Sequence, residues 1–160
     1  MKIVVIYDSF FGNTKQIAQT IGNALNENNE VEVLDVSMVL HNQISDIDIL
    51  IVGSPTRGFR PSENSINFLK SIAKTGLKGV KVATFDTRLS LPKIKSKSIR
   101  FIVKTGGYAA KHIAKALQKK GGISVLLPEG FLVAGEEGPL VEGELERASN
   151  WAKSMIEKSL

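Results

Sequence analysis

The feature that most constrains the fold is an alternation of apolar runs with stretches whose apolar residues recur at helical spacing. Runs such as Ile3–Tyr7 are typical of strands buried on both faces of a sheet. The predicted strands are Ile3–Tyr7, Val31–Val36, Ile47–Val52, Val80–Phe85 and Ile123–Leu127. Helical stripes separate most of them, and a last stripe follows from Val141 onward. Strands alternating with helices predict right-handed crossovers and a parallel sheet covered on both faces, an α/β class fold.

Length and composition exclude several classes of protein. The 160 residues fit one domain, so we expect a single domain over residues 1–160. Cysteine is absent from the sequence, which excludes disulfides, thiolate metal sites and cysteine nucleophiles. His41 and His112 lie far apart, which argues against a His-rich metal site. We expect no membrane span, and we interpret the N-terminus as a strand of a cytoplasmic protein and not as a signal peptide.

The distribution of charge is more informative than the net charge of +5. Residues 87–128 contain ten basic residues and no acid, whereas residues 129–146 contain six acids and no base. One interpretation is a solvated helix face followed by a loop. The other is a docking surface for an anionic partner, and we expect that partner not to be a nucleic acid.

The chemistry of an open parallel sheet is expected beyond the carboxyl ends of its strands, in the loops after Tyr7, Val52 and Phe85. The first loop, residues 9–14, runs directly into a helix. It offers two hydroxyl groups, a glycine for a tight turn and the free N–H groups of a helix start, which suit a phosphate monoester. The alternative is an ordinary helix start, in which Asn13 or Thr14 caps the helix and nothing binds.

The sequence Ser-x-x-Gly-Asn-Thr, placed after an N-terminal strand that ends in Tyr, resembles the FMN-phosphate loop of flavodoxins. The resemblance implies FMN as cofactor, with its phosphate held by Ser9, Phe10, Phe11, Gly12, Asn13 and Thr14. Phe11 stands where the family usually has a Thr, so one phosphate-binding hydroxyl is missing while the backbone donors are kept.

The second loop also resembles the family, in which a Gly-Ser/Thr-Pro-Thr/Val stretch runs along the flavin ring. The resemblance implies cofactor contacts from Ser54, Pro55, Thr56, Arg57, Gly58 and Phe59. Phe59 would stack on the ring where many relatives place Trp. An aromatic residue that only anchors the loop is the alternative for this position.

The third loop departs from the family, which usually offers Gly-Asp and then a Tyr that stacks on the flavin. Here Phe85 is followed by Asp86, Thr87 and Arg88, and the next Tyr is Tyr108. We therefore predict Asp86, Thr87 and Arg88 as contacts at the ring edge, without a second stacking aromatic. Arg88 as a solvated surface residue stays an open alternative.

Taken over the whole chain, the resemblance implies a flavodoxin-like, doubly wound, five-stranded parallel sheet of order 2-1-3-4-5 in a three-layer α/β/α sandwich. It implies a low-potential electron carrier that serves a redox partner protein. Because the chain is basic, we expect that partner to be acidic at its docking surface. We expect a monomer or weak dimer. The alternatives are an FMN-dependent NAD(P)H:quinone-type oxidoreductase and a flavin-free binding module of the same fold.

The chain lacks the residues that other proteins of related architecture require. A response-regulator receiver needs an acidic pair after the first strand, but Asp8 has no acidic neighbour. A low-molecular-weight tyrosine phosphatase needs a nucleophilic cysteine, which is absent. The glycine motifs of dinucleotide-binding and P-loop proteins do not occur.

Overall fold

The structure, a computed structural model, describes residues 1–90, 94–98, 100–101 and 107–158. Its strands are β1 (Lys2–Tyr7), β2 (Glu30–Asp35), β3 (Ile49–Pro55), β4 (Lys81–Arg88), β5 (Ile123–Ser124) and β6 (Glu129–Leu132). Its α-helices are α1 (Asn13–Leu25), α2 (Glu63–Ser71), α3 (Ala109–Lys119) and α4 (Glu144–Glu157). Between β2 and β3 lie two 3-10 helices, Val36–Met38 and His41–Ile44.

The strands form a parallel sheet of order β2-β1-β3-β4-β5, which confirms the predicted fold class. The pairing register sets Tyr7 opposite Gly53, and Gly53 opposite Phe85. The chain therefore leaves β1, β3 and β4 at one edge of the sheet, where ligands of such sheets bind.

The fifth position of the sheet is divided between β5 and β6, which both pair with β4. The sequence predicted one strand over Ile123–Leu127, and its extent is wrong. The stretch from Ser124 to Glu129 is two residues longer than the facing stretch from Val82 to Phe85, so the intervening residues bulge outward. Leu127, which is 86% exposed, lies in this bulge.

The core has two parts, one on each face of the sheet. Helices α1 and α4 cover one face through residues such as Ile17, Ile21 and Met155. Helices α2 and α3 cover the other through residues such as Phe68, Ile113 and Leu117. Burying each large aliphatic side chain contributes roughly 1.5–3 kcal/mol relative to exposure, so this double covering stabilises the sheet.

Strand β4 is longer than predicted and ends at Arg88 instead of Phe85. Its residues alternate between the two faces of the sheet. Phe85 packs in the core beside α4, whereas the Thr84 hydroxyl donates to the carbonyl of Ala110 in α3 at 2.9 Å. Asp86 and Arg88 follow Thr84 toward the α3 side, which determines their roles below.

Candidate functional site

A cleft of about 530 Å³ lies at the carboxyl edge of the sheet, a size typical of small-molecule sites. The predicted site residues that line it are Ser9, Phe10, Phe11, Asn13, Thr14, Pro55, Thr56, Arg57, Gly58, Phe59, Thr87 and Arg88. Gly12, Ser54 and Asp86 do not line the cleft. The three predicted loops therefore converge on a single space.

The first wall of the cleft is the loop before α1. Gly12 precedes the helix with a φ of +89°, a left-handed conformation that favours glycine. The Gly12 N–H donates to the Ser9 hydroxyl oxygen at 3.0 Å, which closes the turn. Because no side chain caps α1, the alternative in which Asn13 or Thr14 caps the helix is not what the structure shows. The first N–H groups of a helix have no intrahelical partner and present a positive end.

Two side chains of this loop tie it to distant parts of the chain. The Thr14 and Thr87 hydroxyl oxygens lie 2.8 Å apart in a buried hydrogen bond between α1 and β4. The Asn13 side-chain N–H donates to the carbonyl of Glu137 at 3.0 Å. The loop is thus held from both sides before any ligand binds.

The second wall is a tight turn over Arg57–Arg60. The Arg57 N–H donates to the Arg60 carbonyl at 2.9 Å, and the reverse bond measures 3.0 Å. Both central residues have positive φ, +52° at Gly58 and +66° at Phe59. Positive φ at two successive positions is the geometry of a type I′ turn, and it is rare for a residue as bulky as Phe. The surrounding structure holds Phe59 in this conformation at the cleft wall.

Aromatic side chains and one arginine join the two walls. Phe10 and Phe11 are 52% and 48% exposed. The Arg57 guanidinium carbon lies 4.8 Å from the Phe10 ring centroid and 5.8 Å from that of Phe11. A cation over aromatic faces at these distances is attracted by the rings.

Ser54 and Asp86 are fully buried beneath the cleft and hold its walls. The Ser54 hydroxyl oxygen accepts a hydrogen bond from the Ser62 N–H at 2.9 Å, which anchors the chain before α2. The Asp86 carboxylate accepts from the Ala110 N–H at 2.8 Å, at the start of α3. Asp86 was predicted as a ring-edge contact because the strand was expected to end before it; inside β4 its side chain is directed to α3 instead.

The third wall is built around Arg88. Its guanidinium contacts both Asp86 carboxylate oxygens, at 2.6 and 2.7 Å, and its central carbon lies 3.9 Å from the Tyr108 ring centroid. Burial raises the pKa of Asp86, and the hydrogen bonds and charge of Arg88 oppose that rise. A Cβ at Gly130 would overlap the Arg88 guanidinium, so a larger residue at this position of the neighbouring strand would displace it.

Sequence reasoning missed several residues of the cleft. They are Leu89, Ile94, Lys95, Tyr108, Val133 and Glu136. Tyr108 directly precedes α3, and its hydroxyl donates to the carbonyl of Leu89 at 3.2 Å, which turns the ring toward the third wall. The available signal for Tyr108 was its position just before the helix that follows the third loop. No local sequence pattern indicated that this position lies at the cleft.

The donor set suits a flat, aromatic ligand that carries one phosphate. The α1 start offers backbone N–H groups for the phosphate, and the aromatic side chains of Phe59 and Tyr108 line the cleft. Within the part of the chain that the structure describes, no cluster of His, Asp or Glu could hold a metal ion. In the same residues, no helix is long and apolar enough to cross a membrane.

An open parallel sheet of order 2-1-3-4-5 with a cleft at its carboxyl edge is the architecture of flavodoxin-like proteins. The sequence profile of the flavodoxin domain matches residues 4–129 of the chain. The chain belongs to the flavodoxin family, and that membership implies a flavin cofactor and, at the level of the family, electron transfer. A search of curated protein sequences finds no match.

Solved structures share the fold at low sequence identity. Oxidised flavodoxin 1 from Bacillus cereus has a TM-score of 0.77 and 24% identity, with 98% of each chain covered. A flavodoxin from the domain Archaea has a TM-score of 0.78 and 22% identity, with 99% of each chain covered. The rubredoxin oxygen:oxidoreductase from Desulfovibrio gigas has a TM-score of 0.71 and 21% identity; 98% of this chain matches 36% of that one.

Proposed function

We propose that this protein binds FMN in the cleft and acts as a low-potential electron carrier for a separate partner protein. The observation that carries the proposal is the convergence of a phosphate-suited loop, an aromatic-walled cleft and the exposed Arg57 on the carboxyl edge of one sheet. Family membership supports a flavin. The helix start after β1 is suited to one phosphate monoester, and this supports FMN among flavins.

The protein's own residues would bind and orient the cofactor. The N–H groups at the start of α1 would hold the phosphate, and the bond from Gly12 to Ser9 keeps the loop in shape. The Arg57–Arg60 turn would cover one face of the ring and Tyr108 would border it. When bound, FMN supplies reversible electron transfer, and no side chain in this account forms a covalent bond to a substrate.

The experiment compares FMN with riboflavin, which lacks the phosphate. Thr14→Val removes a hydroxyl from the phosphate loop and is expected to weaken FMN binding by roughly 1–3 kcal/mol while leaving riboflavin binding almost unchanged. Titration of the apoprotein, followed by flavin fluorescence, measures both affinities.

Thr87→Val is the matched control, because it breaks the same buried hydroxyl pair from the other side. It is expected to change the FMN and riboflavin affinities by similar factors. Equal losses for both flavins in Thr14→Val would mean that the loop does not hold the phosphate.

Two measurements separate the alternative functions. Steady oxidation of NAD(P)H with a quinone by the FMN-loaded protein would identify the oxidoreductase. A colourless protein that takes up no flavin would identify the flavin-free binding module.

A further inference from the structure

We propose that an acidic redox partner docks on a cationic rim beside the cleft, formed by Arg60, Lys111, His112 and Lys115. This inference rests on the electron-carrier function proposed above, since it concerns how the partner approaches the cofactor. It specifies the sign of charge on the partner and the residues that recognise it.

The rim adjoins the cleft through two elements. Tyr108 lines the cleft, and the next residue, Ala109, donates its N–H to the Thr56 hydroxyl oxygen at 3.3 Å. Lys111 and His112 therefore stand in the first turn of α3, next to the second wall. Arg60 belongs to that wall, since both of its backbone bonds in the turn are made with Arg57.

The charge of the rim is uncompensated. Its four residues are exposed, and α3 contains no acidic residue. Among the described residues, ion pairs within 4.0 Å are formed by Arg88 and Arg147, and none by a rim residue. Desolvation lowers the pKa of the His112 imidazole, and Lys115, Arg60 and Lys111 lower it further. His112 is therefore uncharged near neutral pH, and the charge of the rim comes from Arg60, Lys111 and Lys115. The Arg57–Arg60 turn and α3 thus bring three cations close to His112.

The surroundings of the rim favour a protein over a nucleic acid. Phe10 and Phe11, about half exposed, lie beside Arg57, which belongs to the same turn as Arg60. Exposed aromatic groups beside charged ones are typical of protein interfaces, where apolar contacts occupy the centre and charges the periphery. Complementary charge steers such partners into position, so acidic groups are expected on the partner around its own redox centre.

The first test uses a 20-residue poly-glutamate peptide as the acidic probe and a DNA strand of equal charge as its counterpart. Amide resonances of the 15N-labelled protein, without added flavin, report where each probe binds. We expect the peptide to shift the signals of Arg60, Lys111, His112 and Lys115. Raising the salt concentration from 50 to 200 mM should weaken peptide binding by at least about tenfold, because salt screens exposed charges.

The triple variant Arg60→Gln, Lys111→Gln and Lys115→Gln removes three charges from the rim. It should weaken peptide binding by about tenfold, since each exposed contact contributes a modest amount. The matched control, Lys70→Gln, Lys74→Gln and Lys153→Gln, removes three exposed charges elsewhere and should change binding less than about twofold.

Three results would overturn the proposal: shifts away from the rim, equal losses in the two triple variants, or tighter binding of the DNA than of the peptide. Because these measurements need no flavin, they can succeed or fail independently of FMN binding.

Discussion

Asp86 and Arg88 form a pair in which one partner is fully buried and the other borders the cleft. The sequence predicts Arg57 and Arg88 as cofactor contacts in the second and third loops. In the structure Arg88 is neutralised by Asp86, whereas no carboxylate among the described residues lies within 4.0 Å of the Arg57 guanidinium. Of the two arginines that line the cleft, Arg57 is thus the one whose charge is not balanced by a described carboxylate.

Arg88→Gln should lower the free energy of unfolding by about 3–5 kcal/mol near pH 8, because it leaves a buried carboxylate unpaired. Burial already raises the pKa of Asp86, and losing Arg88 raises it further. A raised carboxyl pKa costs stability as the pH climbs above the unfolded value of about 3.9, so the loss should shrink toward pH 4. Urea unfolding at several pH values measures this.

The double variant Asp86→Asn, Arg88→Gln removes the buried charge together with its partner. It should recover much of the stability at pH 8 and lose the pH dependence. A loss that is equal at pH 5 and pH 8, or a double variant no more stable than the single one, contradicts this account of the pair.

Helix α4 is fixed to the sheet by a buried carboxylate in its first turn. Glu144 accepts from the Leu132 N–H at 2.6 Å and from the Arg147 guanidinium at 2.7 and 2.9 Å. Burial opposes ionisation of Glu144, but these hydrogen bonds outweigh it and lower its pKa. The bonds join the start of α4 to β6, and α4 in turn covers Phe85 and Phe131.

Glu144→Gln should lower the free energy of unfolding by about 1–3 kcal/mol at pH 7. A lowered carboxyl pKa gives stability that is present above the unfolded pKa and lost as the pH falls through the folded one. The difference from wild type should therefore vanish at strongly acidic pH. Glu146→Gln, at an exposed position of the same turn, is the control and should cost only about 0.3–1 kcal/mol. Equal effects of the two substitutions would rule out this role for Glu144.

The sequence predicted best the elements in which burial determines the spacing of the apolar residues. Strands β1 and β3 and the apolar stripes of α1 and α3 are buried in this way. The division of the fifth strand was not predictable, because it depends on pairing with β4 across a large sequence distance. The sequence also did not predict that Tyr108, Val133 and Glu136 line the cleft, because each is brought there by contacts between segments that are distant in the sequence.

Across the whole molecule, the net charge of +5 and the cationic rim place a positive field around the cleft. The FMN-loaded, reduced protein should therefore pass one electron to ferricyanide faster at low salt than at high salt. Hexaammineruthenium(III), a cationic acceptor, should show the opposite salt dependence, since like charges repel. Stopped-flow oxidation measures both rates. The same salt dependence for the two acceptors would contradict a positive field at the cleft.

The central claim is that the cleft is built for FMN, and flavin titration of the stripped protein tests it most directly. Absorbance and fluorescence titrations with FMN, FAD and riboflavin give the stoichiometry and the affinity of each. The account predicts a yellow complex with one FMN per chain, and weaker binding of FAD and of riboflavin, because the first loop is proposed to hold one terminal phosphate. Tighter binding of FAD, or no binding of FMN by folded protein, would contradict it.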